Sequence, residues 1–526
     1  MKLVSVAEMV AIEREANARG LSYERMMENA GTGLGEVIHD AYSHLSEHSV
    51  LGLIGSGNNG GDTLVALSFL AEKDWKATAY IVRPRPAGDR LMERFESKGG
   101  RIFLLEKDPD LEQLIELIQD HWVLLDGVLG TGIQLPLKGR VATVLDKTRE
   151  LVAAMAKPPA VVAVDCPSGV DCDSGQAAEE TIPADLTVTM AAVKKGLLEF
   201  PAFQLLGKLE LVGIGLAEDM ELWRDIRRTV PDTDWVRARL PKRPLNAHKG
   251  TFGTALVVGG CANYTGAVLL AGKAAYRIGA GLVTLAIPKT IHTSLAGHFP
   301  EATWLPLSDQ DGYIAEEASD ELLHNLERAT AMLIGPGFGL EEASRRFIFQ
   351  VIEKKSKKNR PDLPPLVMDA DGLKLLAQLE GWPGLIPPRT VLTPHPGEMS
   401  VLTGLSTAEI QANRMQWAEK QAREWGHVLI LKGACTVVAG PDGRTAVVPM
   451  ATPALARAGT GDVLAGLVVG LRAQGVEAFE AAVLSAWIHA QAGIRAAARL
   501  GSTTSIMAGD VLEGIIEVMR DLDKQS

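Results

Sequence analysis

The feature that most constrains the fold is a short apolar run followed by glycine or polar residues, repeated along the second half of the chain. Four such runs are Met332–Ile334, Leu366–Met368, Thr390–Leu392 and Val428–Leu431. Strands that alternate with helical segments predict a parallel α/β sheet. In such sheets ligands bind at the carboxyl ends of the strands, where these loops would lie.

The first half of the chain repeats the same arrangement. Strands are predicted at Ser49–Ile54, Trp122–Leu125, Val161–Val164 and Leu186–Met190. Between the first of them and a predicted helix, Thr63–Leu70, lies the glycine-rich loop Gly55–Asp62, in an order typical of phosphate cradles. Before the first strand, Ser5 and Glu8 predict a capping box that opens a helix.

Composition excludes several classes of function. The 526 residues carry 65 acidic and 53 basic side chains, a net charge of −12, which disfavours nucleic acid and anionic membranes as partners. The four cysteines are scattered without a C-x-x-C pair, so a reducing cytoplasm is expected. Acidic residues interrupt the N-terminal segment and no apolar run approaches ~18 residues, so neither a signal peptide nor a transmembrane helix is predicted.

A tight turn, Ala458–Asp462, precedes the apolar run Val463–Leu471, which predicts a buried helix. Gly459 and Gly461 let the backbone approach a ligand, and the first N–H groups of a helix attract a phosphate. Asp462 would be repelled there unless it accepts a proton or holds a metal ion, which favours chemistry at the phosphate. The alternative is that Asp462 is only a helix N-cap.

Several polar residues at predicted strand ends in the first half suit catalysis or cation binding. Asn59, Asp126 and Ser168 offer oxygen atoms of the kind that hard cations prefer. Asp165 is the candidate general acid or base, and its alternative is a turn or cap aspartate.

Strand ends in the second half suggest a phosphate site. Lys432 supplies a point charge and Thr436 a hydroxyl donor. His395 lies between two prolines and beside an acid, so it is either structural or part of the site. Gly266, at the start of a helix of small residues, could contact a ligand.

The motifs Asn58–Asp62, Gly130–Gly132 and Asp165–Asp171 resemble the NAD(P)H-hydrate epimerase family over about residues 5–218. The resemblance implies a Rossmann-like domain that interconverts the R and S epimers of hydrated NAD(P)H. It also implies that Asp165 is the acid/base and that Asn59, Asp126 and Ser168 hold a potassium ion. The hydrate would be contacted by Asp165 and by Asn58, Asn59, Gly60, Gly61, Asp62, Gly130, Thr131, Gly132, Ile133, Gln134, Leu135 and Pro136.

Two residues depart from that family's pattern. Thr63 stands where glycine is usual, and Gly127 stands where alanine is common. Neither change removes a proposed chemical group, but Thr63 narrows the space beside the glycine loop.

Four motifs of the second half resemble the ribokinase-like superfamily and, more narrowly, the ADP- or ATP-dependent NAD(P)H-hydrate dehydratases. They are His248–Gly253, Gly335–Gly339, Thr393–Glu398 and Gly459–Asp462, and the resemblance covers about residues 226–524. It implies a three-layer α/β domain that repairs only the S hydrate. The departures are Gly372, where alanine is frequent, and Thr452–Ala456, which lacks an Asn-x-Gly spacing and leaves the nucleotide preference open.

In such a site we expect Asp462 to deprotonate the hydrate hydroxyl, which attacks the terminal phosphate of ADP or ATP held with Mg²⁺. The residues expected at the hydrate are Gly266, Ala267, Gly337, His395 and Asp462. Those expected at the nucleotide are Lys432, Gly433, Ala434, Cys435, Thr436, Gly459, Thr460 and Gly461.

A charged, proline-punctuated segment from Glu218 to Arg243 predicts the domain junction near residue 222, giving domains 1–222 and 223–526. The fused halves predict repair of both hydrate epimers by a cytoplasmic homo-oligomer whose partners are small molecules. The first alternative is a ribokinase-like small-molecule kinase. The second makes the N-terminal half a non-catalytic scaffold, as in relatives that serve RNA-decay assemblies.

Overall fold

The computed structural model describes residues 1–353 and 362–524. The chain divides into two compact units, unit 1 from Met1 to Arg228 and unit 2 from Thr229 to Ser526. Among the described residues, no helix is both long enough and apolar enough to cross a membrane.

Unit 1 is built on a seven-stranded parallel sheet in the order β4-β3-β2-β5-β6-β7-β9, with β1 and β8 forming a separate parallel pair. The direction of strand addition reverses between β2 and β5, and such a reversal opens a crevice at the strands' carboxyl ends. The strands are β1 (Leu3–Val4), β2 (Ser49–Ile54), β3 (Lys76–Ile81), β4 (Arg101–Leu104), β5 (Val123–Gly127), β6 (Ala160–Val164), β7 (Leu186–Met190), β8 (Val193–Lys194) and β9 (Lys208–Val212).

Helices cover both faces of this sheet. Successive side chains of β2 point to opposite faces. Val50 and Ile54 accordingly belong to one hydrophobic core, and Leu51 and Leu53 belong to another. The result is a three-layer arrangement. The helices are α1 (Val6–Ala18), α2 (Tyr23–Tyr42), α3 (Asn58–Glu72), α4 (Arg90–Ser97), α5 (Glu112–Gln119), α6 (Gly139–Ala154) and α7 (Glu221–Asp225).

Unit 2 carries a larger sheet of ten described strands, in the order β10-β21-β20-β19-β18-β17-β16-β11-β12-β13, in which β10 is Arg228–Thr229. The pairs from β19 to β13 are parallel, whereas β20 pairs antiparallel with both β19 and β21. Strand addition reverses between β11 and β16. After β10 (Arg228–Thr229), the strands are β11 (Thr254–Val258), β12 (Leu282–Pro288), β13 (Thr303–Leu307), β14 (Asp309–Gln310), β15 (Tyr313–Ile314), β16 (Ala331–Ile334), β17 (Leu366–Met368), β18 (Val391–Leu392), β19 (Val428–Leu431), β20 (Val437–Ala439) and β21 (Thr445–Val447).

The helices α9 and α18 pack closely in unit 2. A Cβ atom at Gly466 of α18 would overlap the backbone of Ala271 in α9, so only glycine allows this approach. The helices are α8 (Thr233–Arg237), α9 (Thr265–Arg277), α10 (Lys289–Ala296), α11 (Ala318–His324), α12 (Glu342–Glu353), α13 (Asp371–Leu376), α14 (Trp382–Leu385), α15 (Pro396–Thr403), α16 (Thr407–Ala412), α17 (Arg414–Trp425), α18 (Thr460–Ala473), α19 (Ala478–Leu500) and α20 (Ala508–Asp523).

The parallel α/β class predicted for both halves is confirmed, as is the capping box of Ser5 and Glu8. Two predicted helix starts are wrong. The helix after the first glycine loop begins at Asn58 rather than Thr63, so Asn58 and Asn59 lie in its first turn and Asp62 follows that turn. The helix after the second turn begins at Thr460, with Gly459 as N-cap at φ 88°, so Asp462 lies in the first turn and is not the N-cap.

Candidate active sites

Asp165 follows β6 directly and adopts a left-handed backbone conformation with φ 64°, which aims its side chain back towards β7. Its Oδ1 accepts hydrogen bonds from the backbone N–H of Met190 at 2.9 Å and from Thr189 Oγ1 at 3.1 Å. The same oxygen accepts a short hydrogen bond from Lys194 Nζ. Three donors on one oxygen fix the position of this carboxylate.

Lys194, which sequence reasoning did not select, is 1% exposed. Its Nζ also donates to the Met190 carbonyl at 3.0 Å and to Thr189 Oγ1 at 3.2 Å. The ammonium group therefore donates to three acceptors that the fold holds in place. A buried cation of this kind needs its carboxylate partner, because removal of either leaves an uncompensated charge.

A cavity of about 610 Å³ opens in front of this ion pair. Of the residues predicted to contact the hydrate, Asn58, Asn59, Asp62, Thr131 and Asp165 line it. Burial, together with the charge of Asp165 and a third carboxylate, Glu13 of α1, raises the pKa of Asp62 well above its usual range. The cavity thus places a carboxyl group that tends to keep its proton near a carboxylate that is held as an acceptor.

The three residues predicted to hold a cation converge behind the cavity. Asp126 is fully buried; its Oδ2 accepts from the Ser168 N–H at 2.7 Å, and its Oδ1 has no hydrogen-bond partner in the described part of the chain. Asn59 Nδ2 donates to the carbonyl oxygens of Val164 at 2.6 Å and Leu129 at 3.2 Å. Burial raises the pKa of Asp126. An orphaned buried carboxylate oxygen beside converging carbonyl groups is an environment that a monovalent cation fits.

The glycines of the predicted hydrate site have packing roles. A Cβ at Gly130 would overlap the Asn59 side chain, and one at Gly60 would overlap the backbone of Gly55. At Gly61 it would meet Met27 Cε at 2.6 Å. The remaining predicted residues, Gly132, Ile133, Gln134, Leu135 and Pro136, line a separate cavity of about 370 Å³ together with Arg83 and Lys138.

Thr63 and Gly127, the two departures from the epimerase pattern, compensate for each other. Thr63 Oγ1 donates to the Asn59 carbonyl at 2.6 Å. A Cβ atom built at Gly127 would fall on that hydroxyl, far inside van der Waals contact, and would lie 3.0 Å from Thr63 Cβ. The threonine therefore occupies the space that an alanine at 127 would need.

In unit 2, Asp462 sits in the first turn of α18 and is the hub of an acidic site. Burial, and then the neighbouring carboxylate of Asp369, raise its pKa to about 7, while Lys432 opposes the shift. Asp371 and Glu398 contribute in the same direction as Asp369. A carboxylate with a pKa near the operating pH is well matched to general base catalysis.

Lys432, at the end of β19, is the cation of this cluster. Its Nζ lies 2.8 Å from Asp369 Oδ1 and 3.5 Å from Glu398 Oε2. Burial lowers the pKa of Lys432, but Asp369 and Glu398 outweigh it and raise the pKa overall. Asp369 is further fixed by Thr393 Oγ1, which donates to it at 2.6 Å.

The other predicted hydrate-site residues lie near the sheet's switch point. Gly337 has φ 60°, and a Cβ there would meet Ala267 Cβ at 2.9 Å, so these two residues are neighbours. Gly266 has open space where a side chain would point. His395 has a structural task, because its Nδ1 accepts from the N–H groups of Gly397 at 3.0 Å and Glu398 at 3.3 Å and so caps α15.

The predicted nucleotide-site residues form two adjacent turns. The first, Lys432–Thr436, includes Ala434 and is held by Thr436 Oγ1, which donates to the Gly433 carbonyl at 2.8 Å. Gly433 and Cys435 have φ values of 147° and 48°. In the second turn, a Cβ at Gly461 would lie 3.5 Å from Lys432 Nζ. Thr460 Oγ1 donates to the Leu455 carbonyl at 2.8 Å and so braces that turn.

Four site residues were missed from the sequence: Lys194, Glu13, Asp369 and His489. Lys194 and Asp369 each stand at a strand end, and that position was the available signal. His489 of α19 is buried, hydrogen-bonds the backbone of Thr460, and burial lowers its pKa to about 4. Nothing in its local sequence separates it from an ordinary core histidine.

Two family models match the chain. One, described as NAD(P)H-hydrate dehydratase, matches residues 255–517, and one described as YjeF-related protein N-terminus matches residues 23–196. A bifunctional NAD(P)H-hydrate repair enzyme of Moorella thermoacetica is 35% identical over all of this chain and 98% of its own length. The corresponding enzyme of Salinibacter ruber is 36% identical over 95% of this chain and 92% of its own length.

A solved structure is also similar to part of the chain. The ADP/ATP-dependent NAD(P)H-hydrate dehydratase of Bacillus subtilis, crystallised with ATP and Mg²⁺, is 30% identical. The match covers 56% of this chain and 99% of that one, with a TM-score of 0.48.

The Thr63–Gly127 contact predicts a strong coupling between two substitutions. Gly127→Ala alone should lower the free energy of unfolding by about 1–3 kcal/mol, because the new methyl group overpacks against Thr63. Combined with Thr63→Gly, the same alanine should cost much less. A double-mutant cycle by urea unfolding of the full chain, followed in the transition of unit 1, should give a coupling of about 1–3 kcal/mol.

Ser68→Gly is the matched control, because Ser68 is also a buried hydroxyl residue of α3. Its effect should add to that of Gly127→Ala. If the effects of Thr63→Gly and Gly127→Ala on the free energy of unfolding were also additive, residues 63 and 127 would not compete for the same space.

Proposed function

This chain belongs to the bifunctional NAD(P)H-hydrate repair enzymes, and on that basis we propose which residues of each unit carry its two reactions. Unit 1 interconverts the R and S epimers of hydrated NADH and NADPH. Unit 2 dehydrates the S epimer to NAD(P)H at the expense of ADP or ATP. The observation that carries the proposal is that each unit holds, at the carboxyl ends of its strands, a carboxylate paired with a largely buried lysine beside a carboxyl group of raised pKa.

The chemistry of unit 1 needs an acid and a base at one carbon. In the hydrate the hydroxyl group and the ring nitrogen share that carbon, so a protonated hydroxyl can leave as water while the nitrogen lone pair forms a planar cation. Water returning to the other face inverts the centre. Asp62, whose pKa is raised by burial and by its neighbours, is suited to hold the proton, and Asp165, fixed by Lys194, is suited to accept one.

Potassium binding at Asn59, Asp126 and Ser168 is part of this proposal. It is supported by the orphaned Oδ1 of Asp126 and by the carbonyl groups that now bond to the Asn59 amide. Within the described residues, no three His, Cys, Asp or Glu side chains group as a metal site. When bound, the cation supplies positive charge that fixes the loops at the hydrate.

In unit 2 we assign the base to Asp462. It removes the proton from the hydrate hydroxyl, whose oxygen attacks the terminal phosphorus of ADP while AMP departs. The C–O bond of the resulting phosphate ester then breaks as the ring nitrogen lone pair moves in, releasing inorganic phosphate. Loss of a proton from the adjacent ring carbon restores the double bond of NAD(P)H. Gly266, Ala267, Gly337 and His395 are the proposed walls for the hydrate.

The nucleotide is assigned to the turns Lys432–Thr436 and Gly459–Gly461, whose N–H groups can face phosphate oxygens. Mg²⁺, when bound, neutralises the phosphate charge. Asp369 and Glu398 would hold it, since Asp369, Glu398 and Asp462 outnumber the one lysine among them. One or two carboxylates completed by phosphate oxygens and water are the usual environment of this ion. The proposal also includes a homo-oligomeric state and a cytoplasmic location, the latter supported by the four free cysteines.

Asp462→Asn should abolish nucleotide-dependent dehydration while leaving epimerisation unchanged. Loss of general base action costs about 10²–10⁴-fold in rate. The assay follows NADH absorbance and inorganic phosphate with the S hydrate and ADP. Asp442→Asn, at an exposed turn of unit 2, is the control and should keep full activity. Near wild-type dehydration by Asp462→Asn would remove the assigned role, and accumulation of a phosphorylated alcohol by the wild type would favour a kinase instead.

The raised pKa of Asp462 predicts the pH profile of dehydration. The base is active when deprotonated, so kcat/KM should be constant above pH about 7 and fall tenfold per pH unit below it. Nucleotide binding measured over the same range separates titration of the base from loss of the fold. A rate that stays flat from about pH 5 to about pH 8 would contradict a base with this pKa.

Asp165→Ala should show the reverse defect. The variant should repair the S hydrate normally and the R hydrate only as fast as it epimerises spontaneously, because the acceptor fixed by Lys194 is gone. Asp173→Ala, on the same loop but outside the cavity, is the control. Chiral separation of the remaining hydrate reports the result, and rapid consumption of the R epimer by Asp165→Ala would refute the assignment.

A further inference from the structure

A second cavity of unit 1, of about 680 Å³, lies at the carboxyl ends of β3 and β4, apart from the cavity of Asp165. We propose that it binds the adenosine half of the hydrated dinucleotide and that its charge selects a ribose 2′-hydroxyl over a 2′-phosphate. This inference rests on the proposed epimerase function and adds to it a site for the far end of the substrate and a preference for NADH hydrate.

The walls of this cavity suit a flat, largely apolar base. Ile81 ends β3 and Val82 follows it, Leu104 ends β4 and Leu105 follows it, and Met92 comes from α4. Ile81, Val82 and Leu105 are buried in the core, so they form a rigid floor. The volume falls within the range of about 300–1,000 Å³ that is typical of small-molecule pockets, which are mostly apolar with a few polar groups.

The position of the cavity matches the length of a dinucleotide. From β3 to β6, which Asp165 follows, the sheet order is β3-β2-β5-β6. Three strand spacings amount to roughly 14 Å, which a single nucleoside cannot bridge and a dinucleotide can. The path crosses the switch point between β2 and β5, where the first turn of α3 offers N–H groups to a pyrophosphate.

Arg85 links the rim of the cavity to that path. Its Nε lies 2.7 Å from Asp89 Oδ2, and both side chains are about nine-tenths buried. Its Nη1 donates to the carbonyl of Gly55 at 2.9 Å, in the glycine loop between β2 and α3. The adenosine cavity and the proposed pyrophosphate path therefore share one fixed side chain.

The charge of the lining is acidic. Four carboxylates, of Asp89, Glu93, Glu96 and Glu106, face two guanidinium groups, of Arg85 and Arg140. Both arginines already have acceptors, and Arg140 donates to the Pro109 carbonyl at 2.8 Å. Carboxylates accept hydrogen bonds from ribose hydroxyls and repel a phosphate, the discrimination that an acid near the ribose gives in dinucleotide-binding folds.

The test compares the full-length protein with two variants in the epimerase assay, using the hydrates of NADH and NADPH. The wild type should have the higher kcat/KM for NADH hydrate. It should also be inhibited more strongly by ADP-ribose than by ADP-ribose 2′-phosphate. Glu93→Gln combined with Glu106→Gln should shift both ratios towards the phosphorylated ligand by about tenfold, since two like charges are removed.

Met92→Trp fills the cavity and should raise KM for both hydrates while leaving dehydration of the S hydrate by unit 2 unchanged. In calorimetry it should lose one site for ADP-ribose. Glu150→Gln, an exposed charge change on α6, should match the wild type in every measurement.

Unchanged ratios in the glutamine variant, or an unchanged KM and ADP-ribose isotherm in Met92→Trp, would overturn this inference while leaving epimerisation in place. If the wild type does not epimerise, the proposed function fails by itself. The loss of an ADP-ribose site in Met92→Trp would still support the cavity as an adenosine site.

Discussion

In both units a lysine that is buried or largely buried faces more carboxylates than it can neutralise. Lys194 pairs with Asp165 while Asp62 and Glu13 stand near, and Lys432 pairs with Asp369 while Asp462 stands near. Burial disfavours each ionised carboxylate, and the lysine offsets this only in part for the carboxyl groups that are not its direct partner. The remaining carboxyl group then keeps its proton to a higher pH. The catalytic character proposed for each site follows from this shortage of positive charge.

The β-sheet of each unit holds these carboxylates close together although they repel one another. Asp165 is held by donors from the neighbouring strand β7 and the turn after it, and Asp369 is held by Thr393, which follows the neighbouring strand β18. Side chains at adjacent strand ends are fixed by backbone that is itself fully hydrogen-bonded. The carboxylates therefore cannot move apart to relieve their repulsion, and the pKa values of their neighbours Asp62 and Asp462 are raised.

Predictions from the sequence were correct where a single short stretch of the chain contains the whole pattern. The strands Ser49–Ile54 and Leu186–Met190 were predicted with their exact bounds, because an apolar run ended by glycine or polar residues is a local pattern. The same logic brought Asn59, Asp126, Ser168 and Asp165 together. The edge strand β4 was missed because its alternation is short and half-exposed.

The sequence alone did not show which residues that are far apart along the chain contact each other in the fold. Lys194 meets Asp165 only because β6 and β7 are neighbours, and Glu13 reaches the same cavity from a helix that starts the chain. Thr63 and Gly127 each looked like an isolated departure, and their compensation appears only when α3 is packed on β5. Such pairs depend on strand order, which no local pattern encodes.

In both units a carboxyl group has a raised pKa, but unit 1 uses the protonated form and unit 2 uses the deprotonated form. Unit 1 needs a second carboxyl group, that of Asp62, to retain a proton that can be given to a leaving hydroxyl. Unit 2 needs Asp462 without its proton, and a pKa of about 7 makes that form abundant only from neutral pH upwards. The deeper burial of Asp62 separates the two requirements, because burial is the largest cause of the raised pKa at both residues. Near neutral pH one carboxyl group can therefore act as an acid while the other acts as a base, and both epimers of the hydrate can be consumed under one condition.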